Sequence, residues 1–592
     1  MEAVDLTVVA DVSGNRFRPW NVHTDLPAAA ASVESDLQQI ASLLRPTDRV
    51  RVLGVDTYSH QIVPLQPRDE LPSIRTLTAG GMASLHDTLI AALVQPVEPG
   101  RRHIVIAQTK GTDTISAVDA AAVRDVAARS DALLHLVAMS TEFVTESRLR
   151  GFQCREMGFC QPMGRFWQPF ARTSLQPDGL TLTPAGQLLA DAARLTGGAF
   201  HVTQLINEPT LAGTFRRAFD DFRNSYVLQY TPRGVRRPGW HEIAVTVPGL
   251  PASDIRARRG YAVEAPASEA NRERASPDSR RLESLITAYE KRDFAAVGTG
   301  LAATTDAAGL IHDFREAGNP WPAHPRREAV FVLELAEAAL FSRRQNDRDA
   351  AAELLTRFHP LIRHPLEPDA FERYWLWAEV AIAQGLIRSA FAEPLVAHAL
   401  SRFPDEPRFV LAHAIVADQA WAIGRVAGDS RLSTSRRPPD DHIKRVIQRY
   451  SAAMAFSETA AEARVRLAWF LHRLGNHTSA RSHLDAIPDE TGLDATMRYV
   501  HRLVRGHVLA AAGRTDAALE AHRQALALAP HAQSARAAVM NGLLRAGDRR
   551  GAEQMAELIQ TDREGVDPWW SYIQGDFRLY PAALSRLREM AK

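Results

Sequence analysis

The sequence predicts an α/β domain built on a parallel sheet, followed by an all-α helical-repeat region. Three observations predict it. Over the first ~260 residues, short apolar runs alternate with stretches of helical periodicity, as expected for strands buried on both faces. Beyond residue 280 the strand signal stops and alanine-rich helical periodicity runs to the end. Near the C-terminus that periodicity repeats, with Gly513 and Gly547 separated by 34 residues.

The first strand covers residues 4–10 and ends in the run Asp11-Val12-Ser13-Gly14-Asn15. Val33, Leu37, Ile40 and Leu44 then recur at helical spacing and stop before Arg45-Pro46. Residues 50–55, 104–107, 133–138 and 199–202 are apolar runs with polar ends and read as buried strands. Residues 61–63 give a weaker strand, placed at an edge. Helices fall at 85–93, 118–128, 185–195 and 211–222. Thr196-Gly197-Gly198 reads as a helix cap and tight turn. Residues 225–230 and 242–247 read as strands around the turn Thr231-Pro232-Arg233-Gly234.

Residues 140–183 break this rhythm. They hold Cys154, Cys160, Trp167, Pro162, Pro169 and Pro177, and they read as a long insertion or lid-like loop. The two cysteines fit either free thiols or a small-loop disulfide, and are too few for a four-ligand zinc site. The domain division is therefore 1–263 for the α/β part with its insertion, 264–280 for a linker rich in Ala, Ser, Glu, Pro and Arg, and 281–592 for the helical part. The clearest repeats lie over 461–560. There Gly506, Leu509, Gly513, Ala518, Ala525 and Pro530 carry one unit. Ala468, Leu471, Gly475 and Ala480 begin an earlier one, and Leu543, Gly547 and Ala552 a later one. Small residues let antiparallel helices touch, glycine permits the turn, and proline closes the second helix. The spacing resembles the tetratricopeptide repeat, which implies a solenoid with a concave surface for a protein or extended peptide. Asp567-Pro568-Trp569-Trp570-Ser571-Tyr572 opens an aromatic segment expected to cap the last repeat.

A chain of 592 residues is too long for one compact core. Lys plus Arg number 70 against 69 for Asp plus Glu, a net charge of +1, so no global field favours nucleic acid or an acidic membrane. No run approaches the ~18 apolar residues of a membrane span. No signal peptide is visible either, so the expected location is cytoplasmic, or exported if the true start lies upstream. Phosphate-binding, zinc-protease and nucleophile-elbow motifs are missing from the sequence. The 21 histidines are scattered. His86-Asp87 lacks a nucleophile nearby, and His201 reads as packed in a strand. The expectation is a protein without enzymatic activity.

Asp11, Ser13 and Asn15 place a carboxylate and two short oxygen side chains on one tight loop, a cage suited to a hard divalent cation. This strand and loop resemble the metal-ion-dependent adhesion site of von Willebrand factor A domains, a protein-binding fold. In that family two further loops complete the cage, with a Thr and an Asp. Here Gly80-Gly81-Met82-Ala83-Ser84-Leu85-His86-Asp87 puts Ala83 at the Thr position, with Ser84 beside it. The run 104–114 puts Lys110 at the Asp position. At ~4 Å and an effective dielectric of ~20, two unit charges interact by about 4 kcal/mol, and a divalent ion doubles that repulsion. An internal Asp11–Lys110 pair is therefore expected where relatives hold Mg²⁺. The alternative is an ion held by Asp11, Ser13, Asn15 and water.

Further runs at 195–200, 222–232 and 255–261 match in order and spacing the bacterial von Willebrand A-related group of Acidobacterial type. That resemblance spans residues ~4–263 and implies the fold more than a role. Tyr226, Tyr230 and Tyr261 read as strand packing. The arginines at 256, 258 and 259 read as a solvated strand edge. Together these readings give an interaction scaffold or adaptor without cofactor, whose partner-facing residues are Lys110, Ser84 and Asp87. The alternatives are a Mg²⁺-dependent exported adhesion protein, and an enzyme that uses 140–183 as a lid.

Overall fold

A computed structural model describes residues 3–13, 26–72, 82–109, 113–138, 144–146, 152–154, 160–162, 181–202, 215–216, 218–220, 222–223, 239–243, 245–246, 260–263, 285, 288–289, 291, 293–302, 325–341, 355, 368–385, 389–424, 438–487, 489–562 and 566–592. Its strands are β1 (Ala3–Asp11), β2 (Arg49–Val55), β3 (Ser59–Pro67), β4 (Arg101–Thr109), β5 (Leu133–Ala138), β6 (Val144–Glu146), β7 (Phe152–Cys154), β8 (Cys160–Pro162), β9 (Thr181–Leu182), β10 (Ala199–Val202), β11 (Gly239–Glu242) and β12 (Gly260–Val263). The helices of the first half are α1 (Leu26–Leu43), α2 (Leu85–Leu93), α3 (Ala120–Arg129) and α4 (Pro184–Leu195). Then follow α5 (Phe294–Ala302), α6 (Pro325–Phe341), α7 (Ala370–Gly385), α8 (Ser389–Arg402), α9 (Pro407–Gly424), α10 (Asp440–Ala453), α11 (Ala460–Arg473), α12 (His477–Asp485), α13 (Ala495–Ala511), α14 (Thr515–Leu528), α15 (Gln533–Ala546), α16 (Arg549–Thr561), α17 (Pro568–Ile573) and α18 (Tyr580–Met590). A mixed α/β domain thus precedes an extended all-α region.

The main sheet has six strands in the order β10-β5-β4-β1-β2-β3. Every pairing in it is parallel except β2 with β3. The apolar runs are continuous because both faces are covered. Along β1, Val4, Leu6, Val8 and Ala10 join Leu37, Ile40, Leu44, Phe215 and Phe219 on one face. Val9 on the other face joins Leu53, Val105, Leu89 and Val123. The weak strand expected at 61–63 is the long edge strand β3. Gly198 sits hard against β5, where a Cβ would meet the Leu134 carbonyl oxygen at 2.0 Å.

The later strands differ from expectation. The observed pair is β11 with β12, antiparallel. Residues 243, 245 and 246 are not strand, and residues 225–230 lie outside the described set. Of 140–183, the described backbone forms two small antiparallel pairs, β6 with β9 and β7 with β8. The register sets residue 154 opposite residue 160. The state of the two thiols lies outside the described side chains.

Two compact units partition the chain. One holds residues 1–273 and 509–565, the other 274–508 and 566–592. The grouping of the last repeats with the α/β part was not read from the sequence, which assigned all of 281–592 to one helical domain. Its cause is apolar burial. Leu519, Met540, Leu543, Leu544, Ala556 and Ile559 belong to the same core as Val9, Leu53, Leu89 and Ile90. Helix α15 packs on α2 and α3, and α16 packs on α2 and the edge strand β3. These helices cover sheet and helix surface that the helices of the first half leave bare.

In the other unit, helices α6, α7, α8 and α9 build a core with Phe331, Trp375, Phe371 and Phe409 at its centre. Phe577, Tyr580, Leu584 and Leu587 complete it. Of the aromatic segment after residue 566, Phe577 and Tyr580 belong to this core, and Trp569 packs edge-on against Trp469. The Tyr580 hydroxyl donates to the Leu333 carbonyl at 3.0 Å. The glycines read as turn positions do turn the chain: Gly475, Gly513 and Gly547 have φ of 80°, 74° and 84°. That left-handed conformation is open to glycine without a Cβ penalty.

Candidate functional site

The candidate site lies where β1, β2 and β4 end, the usual ligand edge of a parallel sheet. Asp11 ends β1 and is buried. Its Oδ1 accepts from the Ser13 amide at 3.1 Å and the Ser13 hydroxyl at 2.6 Å. Its Oδ2 accepts from the Thr109 hydroxyl at 3.0 Å. Asn15 and Lys110 lie outside the described residues, so the expected Asp11–Lys110 pair does too. The hydroxyl that reaches Asp11 comes from Thr109, the residue immediately before Lys110.

The second loop is tied into the fold. Ala83 is fully buried; its amide donates to the Thr114 hydroxyl at 2.8 Å and its carbonyl accepts from the Thr114 amide at 2.9 Å. Ser84 directs both amide and hydroxyl, each at 2.9 Å, onto the Asp56 carbonyl. The third loop answers with Asp113, whose carboxylate accepts from the His86 amide at 2.7 Å and from the Ser116 hydroxyl at 2.6 Å. Asp87 accepts from the Val118 amide at 3.3 Å on one oxygen and from the Gln533 side chain at 3.2 Å on the other. Gln533 also accepts from the Ser59 amide at 2.9 Å.

These facts correct one expectation. Ser84 and Asp87 were read as partner-facing, yet both are buried and bonded inside the unit. A carboxylate that must satisfy a buried amide and a buried side-chain amide stays inside, because each stranded donor costs about 1–3 kcal/mol. Only part of the predicted cation cage lies among the described residues. Of the family's positions among the described residues, Asp11 and Ser13 supply oxygens, Ala83 supplies none, and Ser84 is aimed at the Asp56 carbonyl. No group of three or more His, Cys, Asp or Glu is arranged to hold an ion among the described residues. Among the described residues these oxygens number fewer than the six that Mg²⁺ demands.

Thr109, Asp56, Asp113, Ser116 and Gln533 organise the site and were missed in the sequence. Asp113-Thr114-Ile115-Ser116 carries a local turn signal that could have flagged Asp113. Gln533, 446 residues from Asp87, carries none.

A second polar cluster lies at the opposite, amino end of the strands. Asp5 accepts from Arg49 at 2.8 Å and from Arg101 at 2.6 Å. The His103 ring shares a hydrogen bond with the Thr7 hydroxyl at 2.8 Å. Burial, reinforced by the Arg51 charge, lowers the His103 pKa to about 3, so the ring is neutral. Burial lowers Arg51 to about 10. No Ser, Cys or Lys nucleophile joins this cluster among the described contacts, and its geometry is that of a charge-braced core. His201 is buried and stacks on His135 with ring centroids 6.2 Å apart, as packing predicts. No helix among the described residues is long and apolar enough to cross a membrane.

No family model matches the chain, and no curated protein matches it. Solved structures give only distant likenesses. An aerotolerance-related membrane protein from Bacteroides fragilis is 11% identical, over 37% of this chain and 99% of that one, with a TM-score of 0.23. The PilB minor pilin from Streptococcus sanguinis is 11% identical, over 38% of this chain and 61% of that one, with a TM-score of 0.26. The BatB protein from Bacteroides thetaiotaomicron is 10% identical, over 37% of this chain and 100% of that one, with a TM-score of 0.22.

Proposed function

We propose that this protein is a non-enzymatic protein-interaction scaffold. In this reading a von Willebrand A-like domain with a lapsed cation site offers its loop face, and tetratricopeptide-like helices offer a second surface. The observation that carries the reading is the occupancy of Asp11: Ser13 and Thr109 already supply its carboxylate with three donors. Lys110, next in the chain, supplies the positive charge that an ion provides in relatives, and an acidic group of a protein partner docks against it. The partner-facing residue in this reading is then Lys110, not Ser84 or Asp87.

The test is calorimetry and partner capture with the full chain. Mg²⁺ should give no binding heat, and EDTA should leave capture unchanged, whereas Lys110→Glu should abolish capture. Mg²⁺ binding that disappears in Asp11→Ala would overturn the reading.

A further inference from the structure

The turn between α11 and α12 gathers imidazoles that the scaffold reading does not use. His472 lies in the last turn of α11 and His477 is the first residue of α12. Their Nδ1 atoms are 3.1 Å apart. The turn between them is fixed at both ends, by Gly475 with φ of 80° and by Asn476, whose side chain accepts from the Ser479 amide at 3.2 Å. Trp469 stacks on the His472 ring with centroids 5.3 Å apart, and is itself held edge-on by Trp569 at 5.0 Å. The His507 ring stands 6.3 Å from that of His472. His472 and His477 are both half-exposed, so an ion can reach them from solvent.

We propose that His472 and His477 form a two-imidazole chelate for a divalent transition-metal ion at the copper–zinc end of the series. With each nitrogen ~2.05 Å from a shared ion, their 3.1 Å separation corresponds to an N–metal–N angle of about 98°. That lies between the ~90° of tetragonal copper and the ~109° of tetrahedral zinc, within the range both ions accept. Imidazole is a ligand both ions favour. Without the ion, one ring donates its Nδ1 proton to the other. Coordination needs both rings as the Nε2–H tautomer, so that proton moves to Nε2 of its own ring. Stacking on Trp469 holds His472 in place before the ion arrives, which reduces the ordering cost of binding. Two protein ligands leave the other positions to water, so the site is open. It shares no residue with the Asp11 loop, and its success or failure is independent of the scaffold reading.

The experiment uses the full, chelator-stripped chain titrated with Cu²⁺ and with Zn²⁺. Calorimetry counts the ions and tryptophan fluorescence reports proximity to Trp469. Because the chain has 21 histidines, the readout is the difference between wild type and His477→Gln. The wild type should bind one more equivalent of Cu²⁺ than His477→Gln, or bind it at least about tenfold more tightly. Copper should bind more tightly than zinc. Part of the fluorescence quenching by Cu²⁺ should vanish in His477→Gln and in Trp469→Phe, while Trp469→Phe retains the calorimetric site. Binding should weaken as pH falls, because protons compete with the ion for the imidazole nitrogens. His477 is half-exposed at a helix start, so His477→Gln should keep the wild-type circular dichroism. Identical stoichiometry, affinity and quenching in wild type and His477→Gln would overturn the proposal, and so would a His477→Gln chain that no longer folds while His472→Gln folds and binds like wild type.

Discussion

Asp87 shows how a single carboxylate can look like a recognition group and serve as a strut. In the sequence it stands beside a histidine on a loop read as partner-facing. In the molecule it is 1% exposed and joins three segments: its own helix α2, the 116–118 loop through the Val118 amide, and α15 through Gln533. Asp87→Ala should therefore destabilise the unit by about 2–4 kcal/mol, since two buried donors lose their acceptor. Urea unfolding measures this; a loss below about 0.5 kcal/mol would mean the carboxylate is dispensable. Gln533→Ala should cost a similar amount, because it strands the buried Ser59 amide and one Asp87 oxygen. The opposite logic applies to Asp11, whose three donors are local and come from two adjacent strand ends.

At the scale of elements, the helical unit is held by charges placed inside it. Glu462 on α11 accepts from Arg466 at 2.8 Å, from Arg408 on α9 at 2.9 Å and from Arg578 at 2.6 Å. Burial works against its ionised form, but the Arg578, Arg466 and Arg408 guanidiniums hold its carboxyl well below the usual range. Glu462→Gln keeps the shape but removes the charge that Arg466 pairs with, while Arg408 keeps Glu458 and Asp576 and Arg578 keeps Asp494 and Asp576 nearby, so it should cost about 3–5 kcal/mol. A thermal melt within a degree or two of wild type would refute that. Helix α18 docks on α6 with a different balance, one Arg588 salt bridge to Glu334 at 2.6 Å. Burial pushes the Glu334 and Glu337 carboxyls up to about 7. Both bind protons more tightly folded than unfolded, where the value is 4.5. Their contribution to stability is full below pH 4.5 and is lost as pH rises through 7. Hydrogen exchange in α18 should slow between pH 8 and pH 5 relative to the intrinsic rate. In a Glu337→Gln chain that dependence should shrink, and an unchanged profile would remove Glu337 from the account.

At the scale of the whole molecule, the units do not follow the order of the chain. The helices at 509–565 supply Leu519, Met540, Leu543, Leu544 and Ile559 to the α/β core. Arg549 pairs with Asp131, and Arg545 lies 3.9 Å from Asp125. A protein ending at residue 273 should therefore expose α2 and β3, bind hydrophobic dyes and melt without a sharp transition. Adding the 509–565 segment in trans should restore cooperativity. A cooperative melt of 1–273 at the full-length temperature would show the α/β core to be self-sufficient.

The sequence by itself determined the elements. Continuous apolar runs located the strands of the main sheet and period-3.6 patterning located helices of the α/β part, because each signal is carried by the segment's own side chains. It determined the hairpin turns at Gly475, Gly513 and Gly547, because a left-handed residue is a local requirement. It placed Asp11 and Ser13 on one tight loop for the same reason. The tertiary structure alone decided which helices complete which core, that Gln533 meets Asp87, and that Phe577 and Tyr580 join the core around α6 and α7. Those outcomes rest on apolar faces that are interchangeable in pattern. Only shape and the pairing of buried polar groups across hundreds of residues choose among them.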